Sequence, residues 1–279
     1  MERKLIFLDI DGTILVPGEG IRQTVQDGLS RARSRGHQIF ICTGRSWSSL
    51  PEELTDMELD GIIASAGSDI WIHGQNIYRT ALEKELLLKA CDILKKLEAI
   101  YMLEGFEQVY IAEKGRKILL GEEPVPEDNP EIIRWKDFFQ RRKNVQDLKE
   151  WKPGQVLIPK ISFMLWDKEK AERLCETVSE DFYVALFQQK SRNFFNGELI
   201  SKTANKGTAI LMTARFLKEN LRNTIAFGDS MNDYQMIEQA ACGVAMGNGD
   251  EGLKRIADRV CESVEEDGVI RELKRMALI

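Results

Sequence analysis

The sequence predicts an α/β protein with a doubly wound, Rossmann-like parallel-sheet core and an α+β domain inserted into it. In the first and last thirds of the 279 residues, short apolar runs typical of strands alternate with runs typical of helices. This alternation is typical of a parallel sheet covered on both faces. In the middle third, strand-like runs follow one another directly, which indicates antiparallel pairing. We therefore predict a core of residues 1–82 and 201–279 and an inserted domain of residues 83–200.

The first third contains three predicted strands and one clear helix. The strands lie at 4–9, 37–42 and 60–67, and the helix at 22–36 ends at a glycine, as many helices do. Residues 47–57 do not fit either pattern clearly. Strands separated by a helix in this way favour right-handed crossovers, which build an open, doubly wound layer.

The middle third mixes strands and helices in a different order. Predicted helices lie at 83–98, 130–143 and 168–180, and predicted strands at 99–105, 108–115, 155–166, 181–189 and 192–200. Two of the strand pairs have no helix between their members, and for this reason we expect a separate α+β unit.

The last third returns to strict alternation. Predicted helices lie at 206–220, 233–240, 250–257 and 267–276, and predicted strands at 223–229, 242–246 and 258–262. These strands are short and apolar, so we expect them to extend the parallel sheet begun by the first third.

The composition excludes several classes of protein. The chain is 43% hydrophobic with a net charge of −6, and it lacks the basic footprint typical of a nucleic-acid binder. No apolar run reaches the length of a membrane span, and two aspartates interrupt the apolar N-terminus, unlike a signal peptide. Five scattered cysteines without a CxxC pair favour a reduced, cytoplasmic protein. Because the chain has only two histidines, we do not expect a zinc site built from histidine and cysteine. The oligomeric state stays open.

Polar side chains follow several predicted strands at the point where each strand ends. The carboxyl ends of parallel strands meet at one edge of a sheet, and ligands bind there. Lys206 opens a helix directly after the inserted domain. We expect these groups to converge on one cleft: Asp9 and Asp11; Thr43, Gly44 and Arg45; Lys206; and Asp229, Ser230, Asn232 and Asp233.

The chemistry that such a set can perform is narrow. Two carboxylates about 4 Å apart repel by roughly 4 kcal/mol at an effective dielectric near 20, so something must offset that repulsion. Hard oxygen ligands from Asp9, Asp11 and Asp229 suit Mg²⁺, which would do so. A threonine hydroxyl and the amides of a helix start can bind a phosphoryl group, and a lysine can neutralise charge as it is transferred. The set therefore predicts phosphoryl transfer from an ester to Asp9 and then to water.

The motifs "DIDGT", "CTGR", "NKG" and "GDSMND", in that order, resemble those of the haloacid dehalogenase superfamily. The tail "GVAMGNGDEGLKRIADRV" resembles more narrowly the Cof-type phosphatases of subfamily IIB. Asp11 and Thr43 are 32 positions apart, too few for a cap domain, whereas Thr43 and Lys206 are 163 apart, which matches the α/β cap of that subfamily.

The resemblance implies a role for each matching residue. It makes Asp9 the nucleophile and Asp11 the acid/base, with Mg²⁺ held by Asp9, the backbone carbonyl of Asp11, and Asp229. Thr43 and Lys206 would bind the phosphoryl group. Asp233 would orient Lys206 or the waters of the metal, and Gly44, Arg45 and Asn232 would lie at the substrate. The chain departs from the family at Ala66, where many relatives have asparagine before glycine, and at Glu265.

These observations predict a Mg²⁺-dependent phosphatase for a small phosphorylated metabolite, with sugar phosphates as the leading class by resemblance. Two alternatives remain open. A sugar phosphomutase of the same superfamily would move the phosphate between two positions of a sugar. A non-catalytic sensor would bind phosphometabolites without turnover. The intact Asp9 and Asp11 argue against a sensor, because binding alone needs no nucleophile. Lys202 also stays open as a rival to Lys206.

Overall fold

The computed structural model describes residues 2–16, 18–123, 136, 139, 144–187 and 194–279. The strands are β1 Leu5–Leu8, β2 Gln38–Cys42, β3 Gly61–Ala64, β4 Asp69–Ile72, β5 Gln75–Arg79, β6 Ile100–Glu104, β7 Val109–Ile111, β8 Val145–Asp147, β9 Lys160–Leu165, β10 Phe182–Leu186, β11 Phe195–Ser201, β12 Thr224–Gly228, β13 Cys242–Ala245 and β14 Arg259–Val260. The helices are α1 Gln23–Ser34, α2 Lys84–Lys96, α3 Glu113–Leu119, α4 Lys168–Val178, α5 Lys206–Leu217, α6 Tyr234–Gln239, α7 Glu251–Ile256 and α8 Gly268–Arg275. The helix predicted at 130–143 lies outside the described residues, apart from Lys136 and Phe139.

The chain divides into two compact units. The first contains residues 1–45, 50–79 and 203–279, and the second contains residues 46–49 and 80–202. The α/β class predicted from the sequence is confirmed by this architecture. That the second unit serves as a cap stays a prediction.

The first unit is built on a mixed sheet with the order β14-β13-β12-β1-β2-β3-β4-β5. The strands from β14 to β3 run parallel, as predicted, so the carboxyl ends of β12, β1, β2 and β3 lie at one edge. Alternate residues of β1 pack into two different hydrophobic cores. Ile6 and Leu8 pack on the side of α1 and α8, while Leu5 and Phe7 pack on the side of α5 and α6. Every residue of β1 is therefore buried, which explains its continuous apolar run.

The antiparallel hairpin of β4 and β5 at the edge of this sheet was not predicted. Its turn consists of His73 and Gly74, both with positive φ (48° and 77°). Two left-handed residues are what a two-residue hairpin turn needs, and the glycine was the available signal.

The second unit has a six-stranded sheet with the order β10-β11-β9-β6-β7-β8. All pairs are antiparallel except β7 with β8, in keeping with the prediction for this region. The short strand β8 was not predicted. One face of this sheet packs against α2 and α4 through an apolar core that includes Leu94, Phe163 and Leu174. Among the described residues, no helix combines the length and hydropathy needed to cross a membrane.

Candidate active site

Asp9 stands directly after β1, at the edge where the parallel strands end. Its backbone amide donates to the carbonyl of Phe227 at 3.0 Å, which continues the pairing of β1 with β12 by one residue. Its side chain is buried, and Oδ1 accepts a hydrogen bond from Lys206 Nζ at 2.6 Å. Hydrogen bonds thus hold both the backbone and the side chain of Asp9 in place.

The chain turns sharply after Asp9. The amides of Thr13, Ile14 and Leu15 all donate to the carbonyl of Ile10. Gly12 has a φ of +76°, and a Cβ there would lie only 2.3 Å from Oδ2 of Asp229. A side chain at position 12 would therefore push against the Asp229 carboxylate, so glycine is required for this loop to pack on it.

The carboxylate of Asp11 pairs with Arg45, whereas the carboxylate of Asp9 pairs with Lys206. Arg45 donates from Nε to Asp11 Oδ2 at 2.9 Å and from Nη2 to Oδ1 at 2.7 Å, a bidentate pair. The repulsion expected between Asp9 and Asp11 is thus offset by two separate cations, Lys206 for the first and Arg45 for the second. Arg45 was predicted at the substrate; here it contacts the acid/base candidate.

Lys206 is the first residue of α5, and the local sequence explains why it is so deeply buried. The side chain of Asn205 caps the helix by accepting from the amides of Gly207 (2.9 Å) and Thr208 (3.0 Å). A Cβ at Gly207 would lie 2.4 Å from the carbonyl of Gln235, so glycine lets the start of α5 approach α6. Lys206 as a whole is left 1% exposed.

Asp233 holds Lys206 and shapes its own loop at the same time. Its Oδ1 accepts from Lys206 Nζ at 2.5 Å, and its Oδ2 accepts from the amides of Asp229 (3.0 Å) and Ser230 (3.1 Å). A Cβ at Gly228 would lie 2.6 Å from that of Asp233, so the chain can turn back this closely only without a side chain there. Both oxygens of Asp233 are therefore engaged within the protein.

The remaining predicted residues flank this centre. Thr43 follows β2, is 1% exposed, and its Oγ1 accepts from the amide of Arg45 at 3.2 Å. Gly44 is buried beside it. Asn232 is buried, its Oδ1 accepts from Ser230 Oγ at 2.8 Å, and it lies 3.5 Å from Lys206 Nζ. Lys202, the rival to Lys206, lies over the ring of Tyr183 in the second unit.

Carboxylates outnumber cations at the centre. Ligand oxygens of Asp9, Asp229 and Asp233 lie within 4.8 Å of one another. Burial and the charge of Asp233 raise the pKa of Asp9 to about 7, against the lowering effect of Lys206. Burial disfavours the ammonium of Lys206, but Asp233 and Asp9 outweigh that effect, so its pKa is raised above the usual value. Three carboxylates and one lysine leave a surplus of negative charge, which fits a divalent cation such as Mg²⁺.

Two further features of this edge were not predicted. Asn248 donates from Nδ2 to the carbonyl of Gly12 at 2.9 Å and accepts from the amide of Val264 at 2.9 Å, so it ties the loop after β1 to the C-terminal segment. The turn after β3 has positive φ at Ser65, Ala66 and Gly67. The glycine packs against the backbone of Asn205, where a Cβ would lie 2.3 Å away.

The sequence signals for these features were slight. Asn248 lies in the motif-like tail "AMGNGD", and the turn lies at Ala66, where the chain departs from the pattern of the family that it resembles. The amides of Ser65 and Ala66 donate to the carbonyls of Arg45 and Thr43, so this turn is tied to the neighbouring strand end.

Comparison with known proteins gives a consistent result. The profile of a family described as haloacid dehalogenase-like hydrolase matches residues 6–273. Phosphatase YwpJ of Bacillus subtilis is 29% identical over 98% of this chain and 99% of its own length. From the same organism, the 5-amino-6-(5-phospho-D-ribitylamino)uracil phosphatase YitU is 28% identical over 98% of both chains.

Solved structures agree with the fold. A haloacid dehalogenase-like hydrolase from B. subtilis has a TM-score of 0.79 at 27% identity, covering 97% of this chain and 99% of the other. The subclass IIB sugar phosphatase BT4131 also has a TM-score of 0.79, at 23% identity, covering 99% of this chain and 100% of the other. The resemblance drawn from the four sequence motifs is thereby confirmed.

Proposed function

The chain belongs to the haloacid dehalogenase-like hydrolase family and is a phosphatase, and on this premise we propose that it hydrolyses small phosphorylated metabolites with Mg²⁺ through a phosphorylated Asp9. The observation that carries the proposal is the buried group of Asp9, Lys206 and Asp233 with the carboxylate of Asp229 beside it. A nucleophile, a fixed cation and a surplus of oxygen ligands at one strand edge suit phosphoryl transfer.

The proposed first step uses Asp9 and Asp11. An oxygen of Asp9 bonds to phosphorus while the ester P–O bond breaks, and the leaving oxygen takes a proton from Asp11. Asp11 accepts two hydrogen bonds from Arg45 in the structure. To act as a proton donor, its carboxyl group must therefore be released by Arg45 on at least one oxygen.

In the second step, a water molecule gives its proton to Asp11 and attacks phosphorus, and the bond to Asp9 breaks to release phosphate. Lys206 and Thr43 would hold the phosphoryl oxygens, and Asp233 would orient Lys206, since both of its oxygens already have partners. Asp9, Asp229 and the carbonyl of Asp11 would hold Mg²⁺, which would supply positive charge to the phosphoryl oxygens. Gly44, Arg45 and Asn232 would line the substrate end.

We infer a hydroxyl-rich phosphomonoester as the substrate class. BT4131 is named for sugar phosphates and YitU for a phosphoribityl compound, and both substrates carry a hydroxylated carbon chain. The second unit would act as the cap that selects the leaving group, and the protein would work in the cytoplasm.

A panel of phosphomonoesters tests the proposal. We expect the wild-type protein to release inorganic phosphate when Mg²⁺ is present and to stop when the metal is chelated, with Asp9→Asn as the blank. An isomeric sugar phosphate with little free phosphate would identify a mutase instead. Thermal stabilisation by ligands without any phosphate release would identify a sensor.

A further inference from the structure

The turn after β3 has a backbone conformation that is costly to form. Ser65, Ala66 and Gly67 follow one another with φ values of 50°, 54° and 100°. Residues other than glycine rarely adopt this left-handed conformation, and two of the three are not glycine. A strained segment of this kind persists only where its surroundings hold it in place. We call residues 65–67 the β3 turn.

The β3 turn contacts the backbone at or beside both proposed phosphoryl ligands, Thr43 and Lys206. The amide of Ala66 donates to the carbonyl of Thr43 at 3.0 Å. Gly67 packs so closely against the backbone of Asn205 that a Cβ at position 67 would lie 2.3 Å from it. Asn205 caps α5, and Lys206 is the first residue of that helix. A shift of the β3 turn would therefore move the backbone that carries each of the two ligands.

The carboxylate of Asp69 anchors the β3 turn to the hairpin of β4 and β5. Asp69 is the first residue of β4, is 0% exposed, and lies opposite Ala64 of β3 and Arg79 of β5. Its Oδ1 accepts from Trp71 Nε1 at 3.0 Å, Asn76 Nδ2 at 2.7 Å and Arg79 Nε at 3.0 Å. Its Oδ2 accepts from Arg79 Nη2 at 2.9 Å. Four hydrogen bonds thus hold the chain in place two residues after the β3 turn.

A second buried aspartate, Asp60, anchors the other end of the same strand. Asp60 directly precedes β3 and is 8% exposed. Its Oδ2 accepts from Arg33 Nε at 3.1 Å and from the amide of Ile39 at 2.9 Å. Both aspartates therefore pair with an arginine and hold one end of β3. Only the end held by Asp69 continues into the strained turn beside the proposed phosphoryl ligands.

Resting on the proposed function, we propose that Asp69 is a positioning residue for phosphoryl binding, which acts through the β3 turn on the placement of Thr43 relative to Lys206. Groups that bind a reacting phosphoryl must be held within about 0.5 Å of their productive positions. Both oxygens of Asp69 already accept from the hairpin, so Asp69 acts by holding the β3 turn and not by contact with the substrate.

Asp69→Asn tests the proposal, with Asp60→Asn as the matched control. The amide keeps the size of the carboxylate but cannot accept from Arg79 on both of its terminal atoms. We expect the affinity for inorganic phosphate, measured by calorimetric titration with Mg²⁺ present, to fall about tenfold or more. The affinity for Mg²⁺ should stay within about twofold of wild type, because the proposed metal ligands lie on the loops after β1 and β12. Asp60→Asn should lower the unfolding temperature but leave both affinities unchanged.

Arg79→Lys makes the same test in a milder form. Lysine keeps the positive charge beside Asp69 but loses the two parallel hydrogen bonds of the guanidinium. We expect a smaller fall in phosphate affinity in the same direction, again with an unchanged affinity for Mg²⁺. Thermal unfolding of each variant establishes that folded proteins are compared, and Arg79→Lys decides the question if Asp69→Asn does not fold.

The outcomes separate the two proposals. A wild type that neither binds phosphate with Mg²⁺ nor releases it from any ester would overturn the proposed function itself. If the wild type binds phosphate and the folded Asp69 and Arg79 variants bind it equally well, the inference alone is overturned. The same holds if Asp60→Asn loses as much phosphate affinity as Asp69→Asn, because general destabilisation would then explain both losses.

Discussion

Two buried lysines, Lys206 and Lys160, each contact two carboxylates, and they are held in very different ways. Lys206 stands at a helix start where the backbone itself is adapted, with Gly207 and Gly228 allowing close approach. Lys160 and its partners stand in the middle of regular strands, where only their side chains distinguish them from apolar neighbours.

Because of this difference, substitutions in the two regions should have different effects. A site built from turns, caps and glycines has few substitutions available, because each one disturbs the backbone near Asp9. Around Lys160 the strands are regular, so a substitution there should change buried charge and packing without disturbing a turn. We therefore expect changes around Lys206 to affect turnover and changes around Lys160 to affect the stability of the second unit.

Asp9→Asn should give the largest effect on the Lys206 side of the comparison. An amide cannot form the phosphorylated intermediate, so turnover should fall at least about a thousandfold with every substrate. Phosphate release from both sugar and nitrophenyl phosphates, with circular dichroism as a check of folding, measures this. Retention of a tenth of wild-type activity would refute the nucleophile assignment.

Asp11→Asn should have the next largest effect, and a substrate-dependent one. Loss of a general acid costs about 10²- to 10⁴-fold, and least where the leaving group needs little protonation. Rates with nitrophenyl phosphate should therefore fall less than rates with alkyl phosphates. Equal losses for good and poor leaving groups would count against Asp11 as proton donor.

The sequence predicted the Lys206 region because its polar residues stand at strand ends. Strand ends of a parallel sheet meet at one edge, so the gathering of Asp9, Lys206 and Asp229 follows from topology once the strands are recognised. The engagement of Arg45 with Asp11 and the use of both oxygens of Asp233 depend on side-chain distances, which no spacing encodes.

The Lys160 region could not be predicted in the same way. Lys160, Ser162 and Glu198 alternate with apolar residues along their strands, a pattern typical of a face turned to solvent. Their burial depends on what covers that face, which is tertiary information. The β4–β5 hairpin was missed for a more local reason, since its signal is a single glycine after His73.

Lys160→Met tests how much the buried ion pairs of Lys160 contribute to stability. It removes a cation that lies beside two buried carboxylates, so we expect the free energy of unfolding to fall by about 3 to 5 kcal/mol. Lys168→Met, in the exposed pair with Glu172, should cost less than about 1 kcal/mol. Denaturant unfolding followed by circular dichroism measures both.

A triple variant tests whether uncompensated buried charge causes the loss of stability in Lys160→Met. Lys160→Met with Glu104→Gln and Glu198→Gln removes all three charges, so most of the lost stability should return. A triple variant that stays as unstable as Lys160→Met would show that lost packing, and not the uncompensated charge, is the cause.

Asn248→Ala should give the smallest effect, which is a lower affinity for Mg²⁺. Asn248 holds the carbonyl of Gly12, and Gly12 packs on the carboxylate of Asp229. Loss of this tie should loosen two of the proposed Mg²⁺ ligands, Asp229 and the carbonyl of Asp11. We expect the affinity for Mg²⁺, measured by calorimetric titration, to fall about tenfold, as is usual for residues behind a metal ligand.

Asn220→Ala is the matched control, because Asn220 is an asparagine of the same unit whose side chain accepts from the amide of Arg222 at the start of a 3-10 helix. It should leave the affinity for Mg²⁺ unchanged. With Asn248→Ala, saturating Mg²⁺ should restore most of kcat, because the nucleophile and Lys206 are untouched. A kcat that stays low at saturating metal would mean that Asn248 supports the reacting groups themselves, and the loop after β1 would then be part of the catalytic geometry and not only of the metal site.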